Sequence, residues 1–192
     1  MKVVAFNGSP HKNGNTAQSI EIVFQELREA GIETEMVQVG GKRLLGCLGC
    51  FQCREKQDGY CARKDDEMND FIDKMKEADG IIIGSPTYFS NVSSEVKALI
   101  DRCGFVNRAN GGAYLRGKAG AAVVAVRRAG ATFVYSAVNF FFGISEMNIP
   151  GSVYWNLTTA MNPGDVQNDP EGIKTFQVLG RNMAELLKKT RG

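Results

Sequence analysis

Short runs of consecutive apolar residues alternate along the chain with longer stretches whose apolar residues return every three or four positions. The first kind reads as strands buried on both faces, the second as amphipathic helices. Strands are expected at residues 3–7, 35–39, 80–84, 121–126 and 152–155. Between them, Ala17, Ile20, Val23, Phe24 and Leu27 share one helical face, as do Met68, Phe71, Ile72 and Met75. Val92, Val96, Leu99, Ile100 and Cys103 form a third such face, and Phe176, Leu179, Met183, Leu186 and Leu187 mark a last helix. This alternation predicts one α/β domain: a doubly wound, five-stranded parallel sheet with helices on both faces. Ligands of such sheets bind at the carboxyl ends of the strands, so the loops after strands one, three and four carry the chemistry.

The loop after strand one, Asn7-Gly8-Ser9-Pro10-His11-Lys12-Asn13-Gly14-Asn15-Thr16, opens a helix. Its backbone N–H groups and the helix dipole make an anion nest, to which Ser9, Asn15 and Thr16 add short polar donors suited to a phosphate monoester. It lacks the Gly-Lys-Ser/Thr end of a P-loop and is not G-x-G-x-x-G. A plain polar turn with Asn15 or Thr16 as helix cap is the alternative. His11, the only histidine, has nothing nearby to orient it and reads as a solvated loop residue. The loop after strand three is Gly84-Ser85-Pro86-Thr87-Tyr88-Phe89-Ser90-Asn91. Tyr88 and Phe89 can flank a planar ring while Thr87 and Asn91 hydrogen-bond its edge. Alternatively, Tyr88 or Phe89 covers the core and Asn91 caps the next helix.

Four of the five cysteines form Cys47-x2-Cys50-x2-Cys53-x7-Cys61, placed in the loop after strand two and before a helix capped by Asp65. Met1-Lys2 leads straight into an expected strand, so no signal peptide is expected. Its longest apolar run, Phe133 to Ile144, is broken by Ser136, Asn139 and Gly143 and is too short to span a bilayer. The expected setting is therefore the cytoplasm, where a dense cysteine cluster favours metal over disulfide. A net charge of +2 gives no bulk field for nucleic acid or an acidic membrane. Thiolates at two-residue gaps can wrap one iron–sulfur cluster, with Gly46 and Gly49 letting the backbone turn tightly. The last gap is seven and Ala62 follows, so a ferredoxin domain is not implied. Structural zinc, a redox disulfide and buried packing thiols are the alternatives; zinc's paired knuckles fit three cysteines in a row poorly. Cys103, on an apolar helix face, reads as a small core residue.

Gly8-Ser9-Pro10, Asn13-Gly14-Asn15-Thr16, Gly84 through Val92 and the compact cysteine motif resemble the iron–sulfur flavoprotein branch of the NAD(P)H-dependent FMN reductases. The resemblance extends through Leu115-Arg116-Gly117-Lys118 and Pro150-Gly151-Ser152. It implies a flavodoxin-like fold and bound FMN, with Ser9, Asn15 and Thr16 on the phosphate and Pro86, Thr87, Tyr88, Phe89 and Asn91 around the isoalloxazine. The loop Arg127-Arg128-Ala129-Gly130 matches too, and would bring Ala129 and Gly130 to the ring from the other side. Cys47, Cys50, Cys53 and Cys61 would hold a [4Fe–4S] cluster.

The expected activity is an FMN-dependent oxidoreductase that passes electrons between flavin and cluster, to or from a ferredoxin-like or small-molecule carrier. A cluster-free NAD(P)H-dependent FMN or quinone reductase and a non-enzymatic flavodoxin-like carrier are the rivals. No acid–base triad is needed and none is found. Arg127 or Arg128 could stabilise charge on reduced flavin, or simply pair at the surface. Relatives assemble as dimers or tetramers, and Phe140-Phe141-Phe142 suits either such a contact or the core.

Overall fold

In a computed structural model, which describes residues 1–191, four of the five expected runs become strands of one sheet, with ends shifted by at most two residues. The elements in order are β1 (Lys2–Asn7), α1 (Asn15–Glu29), β2 (Glu33–Gln38), α2 (Gln52–Lys56), α3 (Met68–Glu77), β3 (Gly80–Pro86) and α4 (Ser94–Ala109). There follow β4 (Ala119–Val126), α5 (Ala131–Ile144), β5 (Leu157–Thr159), a single 3-10 turn at Asp165–Asn168, and α6 (Pro170–Arg191). The strand order is β2-β1-β3-β4-β5, and every pair is parallel.

Strand alternation divides the core into two layers. Val4, Phe6, Ile81, Ile83, Ala122 and Val124 point to the side covered by α3, α4 and α5. Val3, Ala5, Ile82, Ala121 and Val123 point to the side covered by α1 and α6. Each fully buried aromatic or branched side chain, such as Phe6, Phe24 or Phe176, contributes about 1.5–3 kcal/mol of burial. The register Asn7↔Gly84 and Gly84↔Val123 brings the carboxyl ends of β1, β3 and β4 level, so the loops leaving them meet at one edge.

Two expectations need correction. The fifth strand is not 152–155 but Leu157–Thr159, paired through Val124↔Leu157. Val153, Tyr154 and Trp155 are about half exposed in irregular backbone, so their apolar run does not mark a buried strand. The strand is instead tied down by Asp169, which accepts from Thr158 Oγ1 at 2.8 Å and the Thr159 N–H at 2.9 Å. Asp65 does not cap α3; it is exposed and pairs with Arg63. Its neighbour Asp66 accepts the Met68 N–H at 3.2 Å and holds the start of that helix. The apolar run through Phe142 is a helix, α5, that buries Val134, Val138, Phe141 and Phe142 and leaves Phe133, Phe140 and Ile144 on the surface. No helix among the described residues is long and apolar enough to cross a membrane.

Candidate functional site

The loop after β1 lies tightly on the sheet edge. A Cβ on Gly8 would sit 2.1 Å from Val96 Cγ2 and 2.8 Å from the Gly84 carbonyl, so only glycine lets the chain pass. The Gly8 N–H donates to Gly84 O and Ser93 Oγ donates to Gly8 O, each at 2.8 Å. Ser9 Oγ accepts the His11 N–H at 3.2 Å. Helix α1 then starts after Gly14 with no side-chain cap and no acidic residue in its first turn. Its first N–H groups therefore lack intrahelical partners at the positive end of the dipole, the arrangement that accepts an external anion. Asn15 is engaged differently from the plain donor expected. Its Nδ2 donates to Asn162 O at 2.8 Å and its Oδ1 accepts the Gly164 N–H at 3.0 Å, pinning the segment after β5 against the start of α1.

The loop after β3 prolongs that strand through the Thr87 N–H to Ala125 O bond (2.9 Å) and then turns sharply. Tyr88 and Asn91 exchange two backbone hydrogen bonds, both 3.0 Å, around Phe89 (φ 47°) and Ser90 (φ 58°). Both turn residues are left-handed, a conformation that non-glycine residues rarely adopt outside constrained sites. Phe89 is fully exposed, so it does not cover the core, and Tyr88 is half exposed. Asn91 Oδ1 accepts the Val92 N–H at 2.8 Å, and α4 begins two residues later with Ser93 as its capping position. Thr87 Oγ1 is buried without any hydrogen-bond partner.

Together these loops enclose a cleft of about 270 Å³ lined by Ser9, Asn15, Thr16, Pro86, Thr87 and Tyr88. Phe89, Asn91, Ala129 and Gly130 stand beside the cleft in the adjoining turn and loop rather than on its wall. Arg127 lines it and Arg128 does not; His11, exposed, reaches its edge. Ala125 at the end of β4, and Ala160, Met161 and Pro163 after β5, complete the lining without having been singled out by the sequence. The Met-Asn-Pro-Gly turn at 161–164 was the available signal, obscured because β5 was expected too early in the chain.

A second concavity lies along the carboxyl half of α4. Cys47, Cys50, Cys53 and Cys61 all line it, with Leu48, Phe51, Phe105 and Val106 as apolar walls. All five cysteines are free thiols; Cys47 and Cys50 are exposed, Cys53 and Cys61 half-buried, and Cys103 buried in the core as expected. Gly49 (φ 63°) and Phe51 (φ 55°) adopt left-handed backbone that folds the short helix α2 back onto α4. Burial first, and then the nearby Cys61 and Cys47 sulfurs, push the Cys53 thiol up. A cation among them opposes that shift. Burial, opposed by the Arg102 charge, pushes the Cys103 thiol up and leaves it inert. Asn69 fixes the backbone of Cys61 from both sides, accepting its N–H at 2.9 Å and donating to its carbonyl at 3.0 Å.

The sequence pattern of the NADPH-dependent FMN reductases matches residues 1–162. The chain belongs to that family. An iron–sulfur flavoprotein of Methanocaldococcus jannaschii is 38% identical over 195 residues, covering 98% of each chain. One from Archaeoglobus fulgidus is 34% identical over 205 residues, covering 100% of this chain and 98% of the relative. These relatives place the chain in the iron–sulfur flavoprotein branch of the family. Among solved structures, a WrbA-like flavodoxin from Agrobacterium tumefaciens superposes with a TM-score of 0.67 at 14% identity, covering 99% of this chain and 98% of that one. The NAD(P)H:quinone oxidoreductase of Methanothermobacter marburgensis gives 0.67 at 16% identity, covering 95% and 96%. Both share the flavodoxin-like fold.

The chain is thus a flavin-dependent oxidoreductase. Its cleft fits FMN on independent grounds: an uncapped helix start for the phosphate, an orphaned buried hydroxyl on Thr87, and an arginine, Arg127, on the wall.

Proposed function

We propose that this chain transfers electrons between FMN and a [4Fe–4S] cluster held by Cys47, Cys50, Cys53 and Cys61. The observation that carries this reading is that all four cysteines line one largely apolar pocket outside the flavin cleft. The names of the full-length relatives support it. Bound FMN supplies exchange between two-electron and one-electron chemistry, and the cluster supplies one-electron steps. The chain's own work is to bind and orient. Ser9, Thr16 and the start of α1 hold the phosphate, and Thr87 and Tyr88 meet the ring. Arg127 stabilises negative charge at the cleft. Electrons enter or leave through a ferredoxin-like or small-molecule carrier, with NAD(P)H as a further donor, in a reducing, cytoplasmic setting that keeps the thiols free.

The working unit is a homo-oligomer, dimer or tetramer. Phe105, Phe140 and Ile144 are 44%, 75% and 70% exposed and border a groove of about 620 Å³ between α4 and α5, beside the cysteine pocket. A second copy covering this face would bury that apolar surface and shield the thiols from water.

One observation favours a cluster-free NAD(P)H-dependent reductase. Among the described residues, no three Cys, His, Asp or Glu side chains are gathered closely enough to hold a metal ion. Ligation by all four thiols therefore requires the exposed Gly46–Cys50 stretch to close over the pocket. Anaerobic reduction of wild type and Cys50→Ser separates the readings. The cluster reading predicts iron-dependent visible absorbance that Cys50→Ser loses while keeping FMN. Identical spectra and identical NAD(P)H turnover in the two proteins would support the cluster-free reductase.

A further inference from the structure

Arg102, on α4, is the bulkiest fully buried side chain among the described residues, and it faces the cysteine loop. Every nitrogen of its guanidinium is engaged. Nη1 donates to Leu45 O at 3.0 Å and to the fully buried carboxylate of Asp66. Nη2 donates to Arg63 O at 2.9 Å, and Nε donates to Cys61 Sγ at 3.3 Å. Asp66 closes the network by accepting the Leu45 N–H at 3.0 Å. One side chain therefore joins the segment entering the loop, two residues before Cys47, to the segment leaving it at Cys61, Arg63 and Asp66.

A buried ion pair is a poor way to add stability, since apolar residues of similar volume serve at least as well. Packing does not require a guanidinium there, whereas a donor aimed at a sulfur does have a use. In a low-dielectric pocket, an N–H and a positive charge directed at a ligand thiolate favour the more negative, reduced state of the iron–sulfur centre it helps to hold. The same fork geometry, which lysine cannot reproduce, fixes the spacing of the loop ends. We infer that Arg102 is a positioning residue for the cysteine pocket, bracing both ends of the loop and raising the reduction potential of the cluster through Cys61. This rests on the cluster reading above.

The test begins with wild type, reconstituted anaerobically with iron and sulfide and titrated for the midpoint potential of its cluster. Arg102→Lys, Asp66→Asn and the neutral pair Arg102→Gln/Asp66→Asn are compared with it. The inference expects a more negative cluster potential in both Arg102 variants, and a shift the other way in Asp66→Asn, which keeps the Nε–H donor to Cys61 and unmasks the Arg102 charge. Iron loss from a folded Arg102→Lys supports the brace directly. Wild-type potential and full iron in Arg102→Lys would overturn the inference, and that variant carries the test if the double variant does not fold. Wild type that takes up no iron would instead end the cluster reading. The brace is then read in apoprotein, by trypsin at Arg54, Lys56, Arg63 and Lys64. Faster nicking in Arg102→Lys supports it and an unchanged rate removes it.

Discussion

Gly130 lies against Ser90: a Cβ built on Gly130 would fall 2.5 Å from Ser90 Oγ and 3.0 Å from Ser90 Cα. Gly130 itself has φ 91°, so two constraints at once demand glycine where the loop after β4 meets the turn after β3. Gly130→Ala is expected to cost about 1–2 kcal/mol from backbone strain alone, with the clash added. At about 2–4 °C per kcal/mol for a chain of this size, thermal denaturation should show a clear drop. Displacement of the Tyr88–Asn91 turn should also weaken FMN binding, read by flavin-fluorescence titration of apoprotein. Unchanged melting and unchanged affinity would contradict the role given to this contact.

Thr87→Val separates the apoprotein from the flavin complex. Removing a buried hydroxyl that has no partner leaves the apoprotein as stable or up to about 1–3 kcal/mol more stable, because an unmet desolvation penalty is deleted. If that hydroxyl meets the flavin, the holoprotein loses a hydrogen bond worth about 0.5–1.5 kcal/mol, roughly a two- to tenfold weaker FMN affinity. The two effects have opposite signs, and melting curves with and without FMN measure both. Weaker binding in an apoprotein that is itself destabilised would point to distortion of the loop.

Asp169 links β5 to α6, accepting from Thr158 Oγ1, the Thr159 N–H and, at 2.9 Å, the Gly172 N–H in the first turn of α6. Burial works against its charge, but these donors outweigh it and hold the carboxyl below its ordinary 3.8. The unfolded chain therefore binds the proton at higher pH than the fold does. Asp169 contributes stability that is fully present above about pH 4 and is lost as pH falls through the lower folded value. Asp169→Ala should cost about 1.5–3 kcal/mol at neutral pH. Urea unfolding across pH 2–7 should show the gap to wild type closing on the acid side; a constant gap would mean that packing, not charge, is lost.

The parts of the fold legible in the sequence are those where burial is unambiguous. Ile81-Ile82-Ile83 and Val3-Val4-Ala5-Phe6 are strands because nothing in them tolerates water, and both are fully buried. Leu157-Thr158-Thr159 was illegible because an edge strand of three residues is held by Asp169 rather than by apolar side chains. The neighbouring Val153-Tyr154-Trp155 looked more like a strand than the strand did. At the site, the loops after β1 and β3 were legible from their own strings, and Ser9, Thr16 and Thr87 from them line the cleft. Arg102 escaped notice because its partners Leu45, Cys61, Arg63 and Asp66 lie at least 36 positions away and only the folded chain collects them.

Phe140 and Ile144 expose apolar side chains on the outer face of α5, while their neighbours Phe141 and Phe142 are core. Phe140→Asp with Ile144→Asp should leave the domain folded and lower the solution mass measured by sedimentation, as charges are placed in the proposed contact. A wild type that sediments as a monomer, or a variant that keeps the oligomer, would remove this face from the assembly.

The central claim is that one chain holds both a flavin and an iron–sulfur cluster. Iron, acid-labile sulfide and FMN should be quantified per chain after anaerobic purification and reconstitution, alongside the visible spectrum. About four irons, four sulfides and one FMN per chain are expected for a single cuboidal cluster. One FMN per chain with no iron taken up would contradict the account and leave a cluster-free flavin reductase.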